Sequence, residues 1–504
     1  QIVRSPSVYY KSEMDKTGVR LFAGQMIPSR GEWIEFETTP LGVIKAIINR
    51  ASKVSLGVFL KGMLWSYEEA KVYMKKMGVK KEDESSTNVF NDYIANLFGN
   101  DELILSTLDK EALKSPEDCL IELSKKLRPT ELPSADAIKS YLNSVFYNEQ
   151  RYDLARVGRY KFNNKLSLAN RIIKQVLFED VKLEDKVIKK GTEIDRDLAW
   201  EIQDSGINEV WVDVNGKGHK MIGNRMVHLD KVINCKPSEL GIYELVHYPT
   251  LMQILSEHKT KEDKLQAISE NVDKLCTKTL TIDDLIASVS FLLDLNAGIG
   301  VTDYIDHLAN RRVCPVGELM SGALRQGMVK LVNLAKESMQ GQDLTQADPT
   351  TVINARPINK ELRNFVATSQ LSQIMDQVNP IAELTQKRRL SAVGTGGIKK
   401  ERASAEVRDI HYTHYGRICP IETPEGQSVG LINSLSLYAK INEYGFILSP
   451  YRKVDKQTGK VTDHVDYLMA DEEEKYIIAQ ATEPLDAEGR LKNDRLVCRF
   501  KSLK

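Results

Sequence analysis

Four linked runs decide this chain: F-V-A-T-S-Q-L-S-Q-I-M-D-Q-V-N-P from Phe365 to Pro380, L-T-Q-K-R-R-L-S-A-V-G-T-G-G-I-K-K-E-R from Leu384 to Arg402, E-V-R-D-I-H-Y-T-H-Y-G-R-I-C-P-I-E-T-P-E-G from Glu406 to Gly426, and G-L-I-N-S-L-S-L-Y-A-K-I-N-E-Y-G-F from Gly430 to Phe446. The segment holds more Gln, Asn, Ser and Thr than an ordinary interior, and its arginines cluster more than an ordinary surface needs. Both features suit a phosphate-rich ligand. Gly394-Thr395-Gly396-Gly397 resembles a phosphate cradle only superficially, because the G-K-[ST] ending and the strand-helix context are missing. A flexible hairpin tip is its local reading. The two prolines and closing glycine of 417–426 predict an extended, sharply turned path. Leu431, Leu435 and Ala439 stand at helical spacing and predict a supporting helix.

Charge sharpens this picture locally, not globally. The 504-residue chain has a formal net charge of zero. Between Lys360 and Arg417, however, ten Lys or Arg face six Asp or Glu. A charge run is most often a solvated face; here the charges alternate with glycine and apolar residues, which favours a ligand surface. Apolar content of 42% and aromatic content of 7% predict a folded protein of two or three units. No apolar run approaches a membrane span. The six cysteines form no C-x-x-C pair, which fits a reducing compartment. His411, His414 and Cys419 invite a metal reading, but no second ligand cluster joins them, and a structural role is expected. Q-I-V-R-S-P-S-V-Y-Y reads as the inside of a strand and turn, so a piece of a longer chain is expected.

Outward from the deciding stretch, residues 1–60 alternate short apolar runs with turn signals and predict β-hairpins. Residues 66–148 change to helical spacing in A-K-V-Y-M-K-K-M, F-N-D-Y-I-A-N-L-F and A-I-K-S-Y-L-N-S-V-F, the last following a candidate cap at Ser134. R-Y-D-L-A-R-V-G-R-Y-K-F-N (151–163) reads as a basic turn with interleaved aromatics. Residues 181–235 predict a small, mostly β insertion with turns at Asn215-Gly216 and Gly218. A helix is expected from Thr281 to about Asn296 and Gly298, with Asp283 and Asp284 as N-terminal charge. A longer helix follows, in which Met320, Leu324, Met328, Leu331 and Ala335 form a stripe assigned to core packing. Residues 451–468 predict a hairpin turning at Thr458-Gly459.

The runs quoted first resemble, over roughly eighty positions with almost no gap, the segment of the bacterial DNA-directed RNA polymerase β-subunit family that includes the rifampicin-binding cluster and the fork loop. The resemblance implies an α+β, multidomain architecture: a mixed β lobe with helical insertions over 1–305, containing the insertion at 181–235; the helical second segment of the protrusion over 313–372; and a mixed α/β fork region over 373–504. It implies a portion of β that holds the non-template strand, the downstream fork and the RNA path during template-directed RNA synthesis from NTPs. Partners would be DNA, nascent RNA, β′, α, the rest of β and a sigma factor, in the cytoplasm or nucleoid and with no membrane. A polymerase needs clustered carboxylates for two Mg²⁺ ions; no D-x-D-G-D run occurs, and in the family that site belongs to β′. No cofactor or metal is therefore expected on this chain. The rival from another class is a non-catalytic module, a split or excised lobe that binds nucleic acid or regulators. A stand-alone nucleotide-binding enzyme is disfavoured by the missing P-loop and carboxylate cluster.

By resemblance, Arg4, Trp33, Asp306 and Arg311 hold the non-template strand, with the indole stacking a base and the carboxylate accepting from an extruded guanine. From the residues alone, an Asp–Arg structural pair and a Trp wedged in a sheet serve as well. Asn49 stands where the family often has Asp. Lys399, Lys400, Arg402 and Arg408 would contact nucleic acid at the fork. Gln1, Leu371, Gln373, Asp376, Gln386, Arg389, Ser391, Glu425, Ser428 and Ile432 match the rifampicin site and RNA path, and Glu425 would lie near the active centre. Gln386 replaces the usual His, and Ser428 a common Asn. Loss of the flat ring at 386 predicts reduced rifampicin sensitivity.

Overall fold

The computed structural model describes residues 1–50, 52–64, 72, 75, 87–111, 115–183, 186–340, 348–493 and 495–501. The chain divides into two compact units, Pro6–Asp303 and Gln1–Ser5 with Tyr304–Lys504. Together they combine many helices with several small antiparallel sheets, an α+β architecture.

The unit Pro6–Asp303 is founded on the alternation in residues 1–60. Strands Ser7–Met14, Arg20–Ile27, Ile34–Thr38, Ile44–Ile48 and Ser52–Ser55 form one antiparallel sheet in chain order. Period-2 side chains put Ile34 and Phe36 fully in the core, while Trp33, Glu35 and Glu37 fall on the opposite face. Helices Leu56–Leu64, Pro116–Leu127, Ala135–Phe146 and Ile282–Asn296 complete that core. Ser134 caps its helix as its position suggests, accepting from the Ala137 amide at 3.4 Å. F-N-D-Y-I-A-N-L-F lies in the helix Thr87–Leu97, except for Phe98 in the turn that follows. A-K-V-Y-M-K-K-M, apart from Val72 and Lys75, lies outside the described residues.

Helix Ile282–Asn296 starts from a capping box between Thr281 and Asp284. Its carboxylates are buried rather than presented as surface charge. Asp284 meets the Arg159 guanidinium at 2.9 Å and Asp294 meets Arg171 at 2.6 Å. The Arg159 pairing explains a correction: residues 155–166 are a helix, not a basic turn. Arg159 is 1% exposed and also donates to the carbonyls of Thr277 and Thr279. The remaining arginine charge is thus partly a core feature, made tolerable by full pairing.

In the 181–235 region, strands Glu209–Val214 and Lys217–Ile222 form a hairpin whose turn residues, Asn215 and Gly216, have φ of 54° and 84°. Such left-handed pairs are what a two-residue hairpin turn requires. Gly218 is not a turn: it pairs with Asp213 inside the strand, and a Cβ there would meet the Phe178 ring at 2.7 Å. A helix, Arg196–Asp204, packs in the same small core.

In the other unit, strand Ile2–Arg4 pairs with Arg311–Val313. Helix Val316–Gln340 forms as expected, with a different face inward. Gly327 is buried and its Cα sits so close to Ile358 of helix Arg356–Thr368 that a Cβ would be 2.8 Å from the Ile358 Cα. The smallest residue sets the closest approach, so Met320, Leu324 and Met328 turn outward, 43–48% exposed, and do not pack the core. Residues 430–439 also depart from expectation. Instead of a helix, Ile432–Ser434 is a strand paired with Arg389–Ser391, and Leu435 bridges to Ile418. The predicted hairpin is present as Ile447–Val454 and Val461–Leu468, with Gly459 at φ 67°. A core of Ile2, Leu308, Val313, Leu390, Val393, Ile418, Leu431 and Ile447 holds this unit.

Candidate nucleic-acid interface

Trp33 stands at the rim of the five-stranded sheet, just before Ile34, and its carbonyl accepts from the Asn49 amide at 2.8 Å. It is half-buried, neither wedged in the core nor fully open. The turn after Ile48 has two successive left-handed residues, Asn49 at φ 50° and Arg50 at φ 58°. That backbone carries the Arg50 guanidinium over the indole, 4.2 Å from Cζ to the ring centroid, with Nε 3.5 Å from Glu35. Arg50 escapes sequence reasoning because no motif marks it. Its one local signal is an Asn at the start of a tight turn, a residue type that tolerates this conformation.

Arg4, Asp306 and Arg311 belong to the other unit. Arg4 and Arg311 are direct cross-strand partners, and like charges so placed repel unless an anion intervenes. Arg311 lies 3.9 Å from Asp306, an ion pair too long for a hydrogen bond. Burial lifts the Asp306 carboxyl above its ordinary range, against the pull of Arg311 and with a push from Glu406 and Asp409. Burial also lowers the Arg311 guanidinium. Arg312, next along the strand, pairs with Glu318. A carboxylate held away from water beside a cation, and not tightly locked to it, can accept from donors on a nucleobase edge.

The glycine turn at 394–397 is closed by bonds from the Gly397 amide to the Gly394 carbonyl and from the Ile398 amide to the Ala392 carbonyl, 3.0 and 2.9 Å. It is packed, not an open cradle. A Cβ at Gly394 would meet Gln1 Nε2 and Leu371, and one at Gly397 would meet the Ala392 carbonyl at 2.4 Å. Lys399 and Arg402 are exposed and flank the half-buried Lys400. Arg408 is used differently from these three. Its guanidinium donates to the carbonyls of Gln427 and Val429 at 2.7 and 2.8 Å, and to that of Lys400 at 3.5 Å. Gly430, at φ 71°, lies against the Arg408 backbone, where a Cβ would meet its carbonyl at 2.4 Å. Arg408 therefore ties the basic loop to the turn that carries exposed Glu425 and half-buried Ser428.

Gln373, Asp376 and Gln386 come together. The Asp376 amide donates to Gln386 Oε1 at 2.7 Å, and Gln386 Nε2 donates to the Ile374 carbonyl at 3.0 Å, with Gln373 Oε1 at 3.5 Å. Asp376, Gln386 and Arg389 line an open groove of about 460 Å³. Ser391 and Ile432 are register partners across the two strands. Gln1 donates to the Val393 carbonyl at 3.3 Å, near Leu371 and Gly394.

His411 and His414 join a cluster of rings with Tyr304, His307 and Tyr412. His307 and Tyr412 both reach Glu474, at 2.9 and 2.6 Å. Burial drives both His411 and His414 down to about 4, helped at His411 by His307 and at His414 by Arg311. Burial pushes Glu474 up, but the bonds from His307 and Tyr412 prevail and bring it to about 2. His411 and His414 are thus neutral packing elements near neutral pH. Among the described residues no group of three or more His, Cys, Asp or Glu is placed to hold a metal ion, and no helix is long and apolar enough to cross a membrane.

Comparison with known proteins matches three parts of the chain. Residues 4–181 match the RNA polymerase Rpb2 domain 2 family, 373–441 the RNA polymerase Rpb2 domain 3 family, and 451–503 the RNA polymerase beta subunit external 1 domain family. The chain is 46% identical over 99% of its length to a DNA-directed RNA polymerase subunit beta of Acetivibrio thermocellus, and 45% identical over 99% to those of Alkaliphilus oremlandii and Clostridioides difficile. It spans 39% of the length of each of these relatives.

Proposed function

The chain belongs to the β-subunit family of DNA-directed RNA polymerases, and from this premise we propose that it serves as the part of β that holds the non-template strand, the downstream fork and the nascent RNA. It works within a polymerase that joins NTPs along a DNA template, together with β′, α, the remainder of β and a sigma factor, in the cytoplasm or nucleoid. Divalent cations for nucleotidyl transfer are held by β′, and this chain shapes the channel around them.

The observation that carries the proposal lies in one unit. The polar knot of Gln373, Asp376 and Gln386 opens on a groove, while the same unit exposes Lys399, Arg402 and Glu425. Such surfaces have donors for phosphate and hydroxyl groups, with acceptors for base edges. Lys399, Lys400 and Arg402 supply charge at the fork, Trp33 stacks a base, and Arg4, Asp306 and Arg311 receive an extruded guanine. The RNA path, which is also the rifampicin site, takes in Gln1, Leu371, Gln373, Asp376, Gln386, Arg389, Ser391, Glu425, Ser428 and Ile432.

The test is the native mass of the endogenous species recognised by an antibody against residues 365–446. A particle of several hundred kilodaltons that contains β′ and α and synthesises RNA on a promoter template is expected. A species near 56.9 kDa, free of those partners, would replace the proposal with a non-catalytic binding module.

A further inference from the structure

Trp33 is not presented naked. The sheet buries Ile34 and Phe36 and leaves Trp33 and Glu35 on the other face, so the indole has a ring surface that the core does not use. Arg50 occupies that surface, with Cζ 4.2 Å from the ring centroid. Its side chain is 65% exposed and Glu35, its ion-pair partner among the described residues, is 3.5 Å away, so it is placed by its turn more than by tight bonds. The turn is unusual. Two consecutive non-glycine residues, Asn49 and Arg50, have positive φ, a conformation L-residues adopt at a cost and retain where surrounding structure demands it.

A planar cation seated over an aromatic plane is one half of a nucleobase clamp. An unstacked base has two π-faces, and guanidinium and indole planes each stack on one with little regard to sequence. We propose that Arg50 is the second jaw of the Trp33 base site: its guanidinium lifts from the indole when single-stranded DNA arrives, and one base enters between the two planes. Without nucleic acid the arginine shields the ring; with it, the arginine covers the outer face of the base. The exposed stem allows that movement without disturbing the sheet. Glu35, on the same face, keeps the guanidinium from swinging into solvent. This inference rests on the non-template-strand reading of Trp33 given above.

The experiment uses polymerase assembled with a full β subunit carrying this chain, and promoter DNA with 2-aminopurine in the non-template strand of the bubble. Trp33→Ala, Arg50→Ala, Arg50→Lys and the double alanine variant are compared by open-complex lifetime and by 2-aminopurine quenching. Trp33→Ala and Arg50→Ala are each expected to shorten the lifetime about tenfold. The double variant should be no shorter-lived than Trp33→Ala alone, and quenching should fall in all three. Arg50→Lys should behave like Arg50→Ala, because an ammonium offers no plane. Arg50→Ala without effect while Trp33→Ala shortens the lifetime would overturn the clamp and leave the Trp33 reading standing. An Arg50→Lys variant with wild-type lifetime, or strictly additive alanine effects, would also overturn it, since charge alone or an independent phosphate contact would then suffice. No effect from Trp33→Ala would overturn the Trp33 reading and the clamp with it.

Discussion

Replacing Arg408 with alanine should loosen the Glu425 turn without removing a direct phosphate contact. Its guanidinium makes two short bonds to the carbonyls of Gln427 and Val429, at 2.7 and 2.8 Å. A bond from a charged donor contributes roughly 1.5–3 kcal/mol when buried. Arg408 is half-buried, so about 1 kcal/mol for each is reasonable, or about 2 kcal/mol for the pair. That corresponds to about a 30-fold rise in the population of the opened turn. The turn's own amide bonds, from Val429 to the Gly426 carbonyl and from Leu431 to that of Ser428, should report it. Hydrogen exchange at Val429, Gly430 and Leu431 in assembled polymerase should accelerate by about that factor. The salt dependence of complex stability should stay within half a unit of slope, because Arg408 spends its donors on protein carbonyls. Unchanged exchange at those amides, or a salt slope reduced by about one unit, would refute the clamp and return Arg408 to the phosphate-contacting set.

Other outcomes follow from the same geometry. Substituting Lys399, Lys400 and Arg402 together by alanine should lower the salt slope by about one unit per lost contact; an unchanged slope sinks the fork assignment. Asp284→Ala strands the buried Arg159 guanidinium and should cost about 3–5 kcal/mol in urea unfolding, most of it recovered by combining Asp284→Leu with Arg159→Met. Between about pH 6.5 and pH 4 the unit with His411 and His414 should lose stability on acidification. Their depressed values mean that the unfolded chain binds those protons first, whereas Glu474 begins to matter only below its ordinary 4.5. Melting temperature followed across that window checks the sign. Gly327→Ala should destabilise by about 1–3 kcal/mol through the contact with Ile358, while Met320→Ser should stay within about 0.5 kcal/mol. Polymerase carrying this chain should be less sensitive to rifampicin than its Gln386→His variant; nanomolar inhibition of the unaltered enzyme would contradict this.

What could be read directly from residues shares one property: the determining interactions are local. The hairpins of the first sixty residues follow from period-2 burial and turn residues, and the helix from Ile282 follows from its cap and apolar run. The misreadings each involve a distant partner. Arg159 looked like surface charge because its counter-ion, Asp284, is 125 positions away. Leu431, Leu435 and Ala439 have helical spacing by coincidence, since the strand at Arg389–Ser391 claims the backbone between them. The methionine stripe lost to Gly327, whose value to the helix pair depends on Ile358. In the candidate site, Gln373, Asp376 and Gln386, singled out by resemblance, lie together; the roles of Arg50 and Arg408 depend on what their guanidinium groups touch.

The pairing of Ile2–Arg4 with Arg311–Val313 also sets a schedule for synthesis. It joins strands separated by roughly three hundred residues, and closing so long an open loop costs about 3 kcal/mol more entropy than closing one of about ten. The penalty shrinks if Pro6–Asp303 folds first, because Tyr10 and Asp303 then bind each other through the Tyr10 amide and carbonyl and bring the ends of that unit together. A chain emerging from the ribosome exposes the whole of that unit before Arg311 emerges. Residues Ile2–Arg4 must therefore wait for their partner strand through nearly the whole of it, so a nascent-chain binder that shields Ile2 should speed assembly, whereas a competitor for the same strand is most effective during translation.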